Sequence, residues 1–449
     1  MSNVARSTGV PLTKTSIGRF RWMVITLVVV VYAVAAADRA NIGIALPYIK
    51  HDFGLTNTEA GSLASLFFFA YAFGQIPSAF IVKRFGVRTV LPIALLMTSV
   101  FTAMHGLVFS VTALKLARVG LGLSEAPLAI SCITTINNWF PYRERGTAAG
   151  LFLSSNKIGP VLVPPIAALI ITVWTWHHIF TAFALPGLVL PFVWLLTVSN
   201  NPRESRFVGP GERNLIESSD SPSETATQQR ESKGHFTRLD RLIRARSVER
   251  VTTTRRLLTN WNIIGVSLGY FLLAGIINFI LTWLPTYLKN VQGLTIVDVG
   301  MMSAAPFIGA VLGNLAGGII SDRMLGGRRK PLMVVSCVAT IITMYALKSA
   351  PHQQQMLAAL LFATGALLSL GYSSFCIYPS GLTDRRLFPL ATALVNTLGQ
   401  LGGACTPIIT GVLLDHYSWS AVFTTMSIAA AIGFVLLLTI IEPVTTKVD

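Results

Sequence analysis

Charge is scarce in this chain. Only 12% of its 449 residues are Asp, Glu, Lys or Arg, where soluble domains carry about 25%. That supply cannot cover a surface facing water on all sides. With 52% of the residues hydrophobic, an integral membrane protein is the class that fits. Acids are scarcer than bases, 19 against 35. A formal charge of +16 indicates nucleic acid only where the bases form a patch on a soluble face, so their location matters more than their sum. Cys132, Cys337, Cys376 and Cys405 all sit in apolar runs without a CxxC pair, and they carry no information about redox compartment. The sequence has no GxxxxGK[ST] phosphate loop, no HExxH and no set of nucleophile, base and orienting group. Neither an enzyme nor a metal or cofactor site is expected.

Long hydrophobic runs are what the chain has. A spanning helix needs about 20 mostly apolar residues. Twelve such runs lie near 22–48, 60–82, 89–109, 112–138, 147–172, 178–198, 261–288, 298–321, 331–350, 354–378, 389–414 and 419–441. The first resembles a signal peptide as far as Ala35-Ala36-Ala37, where Asp38 and Arg39 interrupt it. The apolar pattern then resumes, and one helix from Trp22 to Tyr48 would be about 40 Å long. Asp38 and Arg39 are therefore expected inside the membrane. Basic residues cluster in alternate connections: the N-terminal tail, KRFGVR at 83–88, PYRER at 141–145, the central segment, DRMLGGRRK at 322–330 and DRR at 384–386. The positive-inside rule then places both termini in the cytoplasm, and a bacterial inner membrane is the expected location. The basic balance needs no nucleic acid to explain it.

The two halves repeat. GLTNTEAGS from Gly54 matches GLTIVDVGM from Gly293, and at the same offset Gly74-Gln75 meets Gly313-Asn314 and Lys83-Arg84 meets Asp322-Arg323. Duplicated halves about an axis along the membrane normal are a known transporter architecture with the substrate near the midplane. The expected organisation is a tail at 1–21, a six-helix bundle at 22–198, a linker at 199–260, a second bundle at 261–441 and a tail at 442–449. Within the linker, 236–251 reads as an amphipathic helix suited to anionic lipid.

Ionisable residues inside spans are costly, and by default they mark function. Here they gather in the first half: Asp38 and Arg39 on the first span, Arg118 and Glu125 on the fourth, Lys157 on the fifth. Arg118 and Glu125 lie seven residues apart and share a helix face. The four groups Asp38, Arg39, Arg118 and Glu125 can meet around one cavity, or form two ion pairs that merely lock the helices. Buried guanidiniums suit a carboxylate or phosphate. A proton on Asp38 or Glu125 would release an arginine to take an anion, a physical route to proton–anion coupling. Neutral candidates for the rest of the lining are Tyr71, Asn156, Asn278, Tyr378, Asn396 and Gln400. Lys157 would suit a second negative group and favours a dicarboxylate or aromatic acid.

These residues carry a family resemblance over nearly the whole chain. DRANIGIALP, QIPSAFIVKRFGVR, ARVGLGLSEAP, FPYRERGTAAG, LTWLPTYL, GGIISDR and the stretch from Asn396 through TLGQLGG resemble the anion:cation symporters of the major facilitator superfamily. The resemblance implies an all-α membrane fold of two pseudo-symmetric six-helix bundles, with protons as the coupling ion; a monomer is the default expectation. It implies substrates such as sugar acids, hexuronates, tartrate or phthalates. It assigns substrate binding to Arg39 and proton carriage to Asp38 and Glu125, and its fourth-span Arg, second-span Tyr and eleventh-span Asn fall on Arg118, Tyr71 and Asn396, which stand with Arg39 as substrate-binding candidates. It assigns gating to Arg84, Asp322 and Arg323, with Lys83 standing where the family usually has Asp. An exchanger or efflux carrier without net proton coupling remains the alternative.

Overall fold

The computed structural model describes residues 19–218, 237–351, 353–384 and 386–444. Most of the N-terminal tail, the middle of the linker including Phe236, and residues 445–449 lie outside them. Twelve helices among the described residues are long and apolar enough to cross a membrane. The first half supplies α1 (Phe20–Asp52), α2 (Asn57–Phe85), α3 (Val87–Leu107), α4 (Val111–Trp139), α5 (Tyr142–Val173) and α6 (His177–Thr197). The linker holds α7 (Pro210–Ser218), α8 (Thr237–Leu242), the strand β1 (Ala245–Ser247) and α9 (Thr254–Thr259). The second half supplies α10 (Trp261–Asn290), α11 (Ile296–Ile319), α12 (Lys330–Lys348) and α13 (Gln354–Ser369) with its short continuation α14 (Tyr372–Ile377). It ends with α15 (Phe388–His416), α16 (Trp419–Thr439) and β2 (Glu442–Val444). The first helix runs unbroken through Asp38 and Arg39 and packs against α5 and α10.

The repeated GLT motif has a local cause. Gly54 and Gly293 turn the chain with φ of 61° and 64°, a region open to glycine at little cost. The threonine that follows two residues later caps the next helix. Thr56 accepts from the Glu59 N–H at 3.1 Å while Glu59 accepts from the Thr56 N–H at 3.0 Å, a reciprocal capping box. Thr295 accepts from the Asp298 N–H at 3.3 Å in the second copy.

The second glycine of each motif joins the halves. A Cβ at Gly61 would sit 2.2 Å from the Pro407 carbonyl oxygen of α15, and one at Gly300 would sit 2.7 Å from that of Pro164 on α5. The first bundle's α2 thus lies on the second's α15, and the second's α11 lies on the first's α5, as a two-fold repeat requires. At the same end, Asp415 accepts from the N–H groups of Asn57 and Thr58 at 2.8 Å each. A carboxylate of one bundle therefore caps a helix N-terminus of the other. The bundles are closed on the face where α2 and α11 begin.

The linker differs from expectation. Its helix covers Thr237–Leu242 only, and the chain then enters β1, which pairs in parallel with β2. Of the apolar residues expected on a lipid-facing stripe, Ile243 and Val251 are buried within the protein, while Leu242 is exposed. Asp240 accepts from Arg328 at 2.5 and 2.8 Å, and the Lys330 ammonium donates to the Ile243 and Ile440 carbonyls at 2.9 and 2.6 Å. Near the other end, the buried Glu212 of α7 accepts from the backbone N–H groups of Phe20 and Arg21 at 3.1 Å. Each described arm of the linker is fastened to one bundle.

Candidate functional site

Arg39 is the centre of the site. Its Nε donates to Glu125 Oε1 at 2.5 Å, and its NH2 group is ion-paired with the same carboxylate. The guanidinium also donates to Asn156 Oδ1 and the Tyr32 hydroxyl, each at 3.3 Å. Two aromatic faces complete the shell, with the Tyr71 ring centre 5.0 Å from the guanidinium carbon and that of Tyr32 5.5 Å away. Five groups from α1, α2, α4 and α5 thereby hold one side chain. Glu125 itself is fully buried, at 0% exposure.

Asp38 and Arg118 form the layer behind. Both are 1% exposed. Asp38 accepts from Asn41 Nδ2 at 3.5 Å, and Arg118 lies within electrostatic reach of Asp38 and Glu125. The Arg118 guanidinium carbon is 5.9 Å from the Phe180 ring centre, and Nε and NH2 have no hydrogen-bond partner among the described residues. The expected meeting of four charges is therefore present, but asymmetrically. Only Arg39 and Glu125 form a tight pair, and it joins α1 to α4. An arginine and glutamate on one face of α4 do not pair with each other, because two helical turns separate them by about 10 Å.

A cavity opens beside Arg39. The first bundle lines it with Ala36, Arg39, Phe68, Asn156, Lys157 and Pro160. The second lines it with Tyr270, Asn278, Leu281, Phe307, Tyr372, Gly399 and Gln400, among others. It therefore lies between the halves. Asn278 faces it while donating to the Ala274 carbonyl of its own helix at 2.9 Å. The Lys157 ammonium is 4.8 Å from the Tyr372 ring centre.

Other candidates sit elsewhere. Tyr378 lies in a 3-10 turn after α14, buried, donating its hydroxyl to the Ile441 carbonyl beside β2. It does not line the cavity. Asn396 is exposed next to Cys376, one helical turn from Gln400, and does not line the cavity. Of the gating set, Asp322 is ion-paired at 2.7 Å with Arg329 of its own half, while Arg84 lies exposed over the Phe85 ring and Arg323 is exposed. Tyr32, Tyr270 and Tyr372 were not expected at the site. Tyr32 had a signal, standing two helical turns before Arg39 on the same face.

Two repeated six-helix bundles around a shared polar cavity, with an ion pair buried at its wall, define a membrane carrier. The chain belongs to the Major Facilitator Superfamily, which matches residues 28–324 and 266–449. It is 29% identical to a probable galactarate/D-glucarate transporter of Bacillus subtilis, covering 97% of this chain and 94% of that protein. It is 27% identical to a D-galactonate transporter of Escherichia coli, over 94% and 96% of the two. Among solved structures, a D-xylose–proton symporter shares the fold with a TM-score of 0.71 at 17% identity, covering 93% of this chain and 97% of that one.

Proposed function

We propose that the protein imports an organic anion of the sugar-acid class by proton symport, through alternating access of the central cavity. The observation that carries this reading is the Arg39–Glu125 pair at the cavity wall. Arg39 lines the cavity, and its planar fork is suited to a substrate carboxylate. While Glu125 is ionised, it occupies that fork. A proton on Glu125 removes the competing charge, so Arg39 accepts the carboxylate and the local charge stays balanced. After the cavity opens to the other side, loss of the proton restores the internal pair and displaces the substrate. Asn156, Tyr32 and Tyr71 hold Arg39 in place during the exchange. Asp38 and Arg118 form a second carboxylate–guanidinium set behind it, tuning the field that Glu125 experiences. The similar proteins named for galactarate, D-glucarate and D-galactonate are consistent with an anionic sugar-derived substrate. Cytoplasmic termini agree with the basic connections, and the bacterial relatives are consistent with an inner-membrane location.

The test is proton movement itself. The purified protein is reconstituted in liposomes with a pH-sensitive dye inside, and a panel of sugar acids, dicarboxylates and aromatic acids is added outside. A transported acid is expected to acidify the lumen as it enters, in proportion to its uptake. Uptake with no luminal pH change would replace symport with anion exchange.

A further inference from the structure

Asn156 and Lys157 are adjacent on α5, so they point about 100° apart around the helix. Their partners lie in different halves. Asn156 accepts from Arg39 of the first bundle, while the Lys157 ammonium faces the Tyr372 ring of the second. Tyr372 packs on Tyr270 with ring centres 5.7 Å apart, and both rings line the cavity with Lys157. The two cations differ in how their charge is met. Arg39 has a carboxylate, Glu125. Lys157 forms no ion pair among the described residues and meets a ring face instead. A ring quadrupole attracts an ammonium, but it replaces only part of the water such a compact ion loses on burial. The cavity thus has a second cationic end, separate from the proton-linked one.

We infer that Lys157, with Tyr270 and Tyr372, forms a second anion subsite, and that the substrate is a dicarboxylate bound between Arg39 and Lys157. The inference rests on the proposed binding of an organic anion at Arg39, though not on proton coupling. The charges decide between substrate classes. With Glu125 protonated, Arg39 and Lys157 bring two positive charges to the cavity, which a dianion neutralises. A monoanion leaves Lys157 as it is in the empty cavity and gains nothing from it, whereas a dianion gains a charge-assisted contact there. The similar proteins do not make this choice, since dicarboxylate and monocarboxylate transporters match at nearly equal identity, 29% and 27%. Lys157 makes it.

Galactarate and galactonate test the inference, because they share one hydroxylated six-carbon chain and differ at one end, carboxylate against hydroxymethyl. Counterflow exchange of each labelled acid is measured in proteoliposomes without a proton gradient, for wild type, Lys157→Gln and Lys157→Arg, with thermal unfolding of each. Wild type is expected to prefer galactarate by about tenfold or more, the worth of one strong charge-assisted hydrogen bond. Lys157→Gln should erase that preference, and Lys157→Arg should keep most of it, with both variants folded. A wild type that prefers galactonate or exchanges neither acid overturns the inference. So does a Lys157→Gln variant whose preference is unchanged. Because exchange runs without a gradient, a failure of proton coupling leaves this readout intact, and the two failures are distinguishable.

Discussion

At the scale of single residues, the site is held by one arginine with many partners. Arg39 is contacted by a carboxylate, an amide, a phenol and two ring faces. Lysine cannot reproduce that arrangement, since its ammonium has no planar fork. Tyr378 offers the contrast, because its hydroxyl serves the Ile441 carbonyl away from the cavity. Arg39→Lys is expected to weaken substrate exchange by about tenfold or more and to lower the unfolding temperature as well, because the buried Glu125 and its neighbours lose donors. Tyr378→Phe is expected to leave substrate affinity intact and cost about 1–3 kcal/mol of stability, because a buried carbonyl loses its donor. Thermal unfolding and exchange measured on both variants check the pair, and a reversed pattern would return Tyr378 to the binding site. The charged residues were legible in the sequence because ions are rare within spans and each one needs a reason. Uncharged side chains were less so, although Tyr71 was named from the sequence and its ring lies against Arg39. Uncharged rings and amides are common in apolar helices, and whether one faces cavity, lipid or neighbour depends on helix rotation, which a one-dimensional pattern leaves open. Tyr378 and Asn396 do not line the cavity for that reason, and Tyr270 and Tyr372 were passed over for it.

At the scale of elements, the repeat explains more than the duplication of helices. The GLT motif combines a turn glycine, a threonine cap and, in its last glycine, a seat for the opposite bundle. Gly61 and Gly300 allow helices from different halves to touch through backbone, without a Cβ between them. Adding that methyl should hold the closed face open. Gly61→Ala and Gly300→Ala are each expected to slow transport and to raise labelling of an Asn57→Cys probe by a membrane-impermeant maleimide several-fold, the shift of a conformational equilibrium by about 1 kcal/mol or more. Unchanged labelling with unchanged transport would show that this contact does not gate the cavity. Helix count was legible because spanning runs are long and their apolar content is high, while the ends were off by up to five residues and the break between α13 and α14 was not foreseen. The linker was less so. Its apolar residues at helical spacing gave a correct sign that something is covered there, but Ile243 and Val251 pack within the protein, around a short strand pairing. Sequence periodicity cannot distinguish a lipid surface from a protein one.

At the level of the whole molecule, two equilibria are joined. One is the movement of two bundles about a cavity lined by both. The other is occupancy of Arg39 by either Glu125 or a substrate carboxylate. Coupling follows if the empty carrier with the Arg39–Glu125 pair intact and the loaded carrier with Glu125 protonated both cross readily, while the loaded carrier with Glu125 ionised does not. The most direct measurement is Glu125→Gln, which fixes the neutral state without changing the size of the side chain. Net uptake driven by an inward proton gradient and counterflow exchange at equal pH are followed in the same proteoliposomes. The account predicts that gradient-driven accumulation is lost while exchange persists, because Arg39 can bind the anion but no proton is released to reset it. Accumulation that continues to respond to the gradient in Glu125→Gln would contradict it, and would move proton coupling away from the Arg39–Glu125 pair.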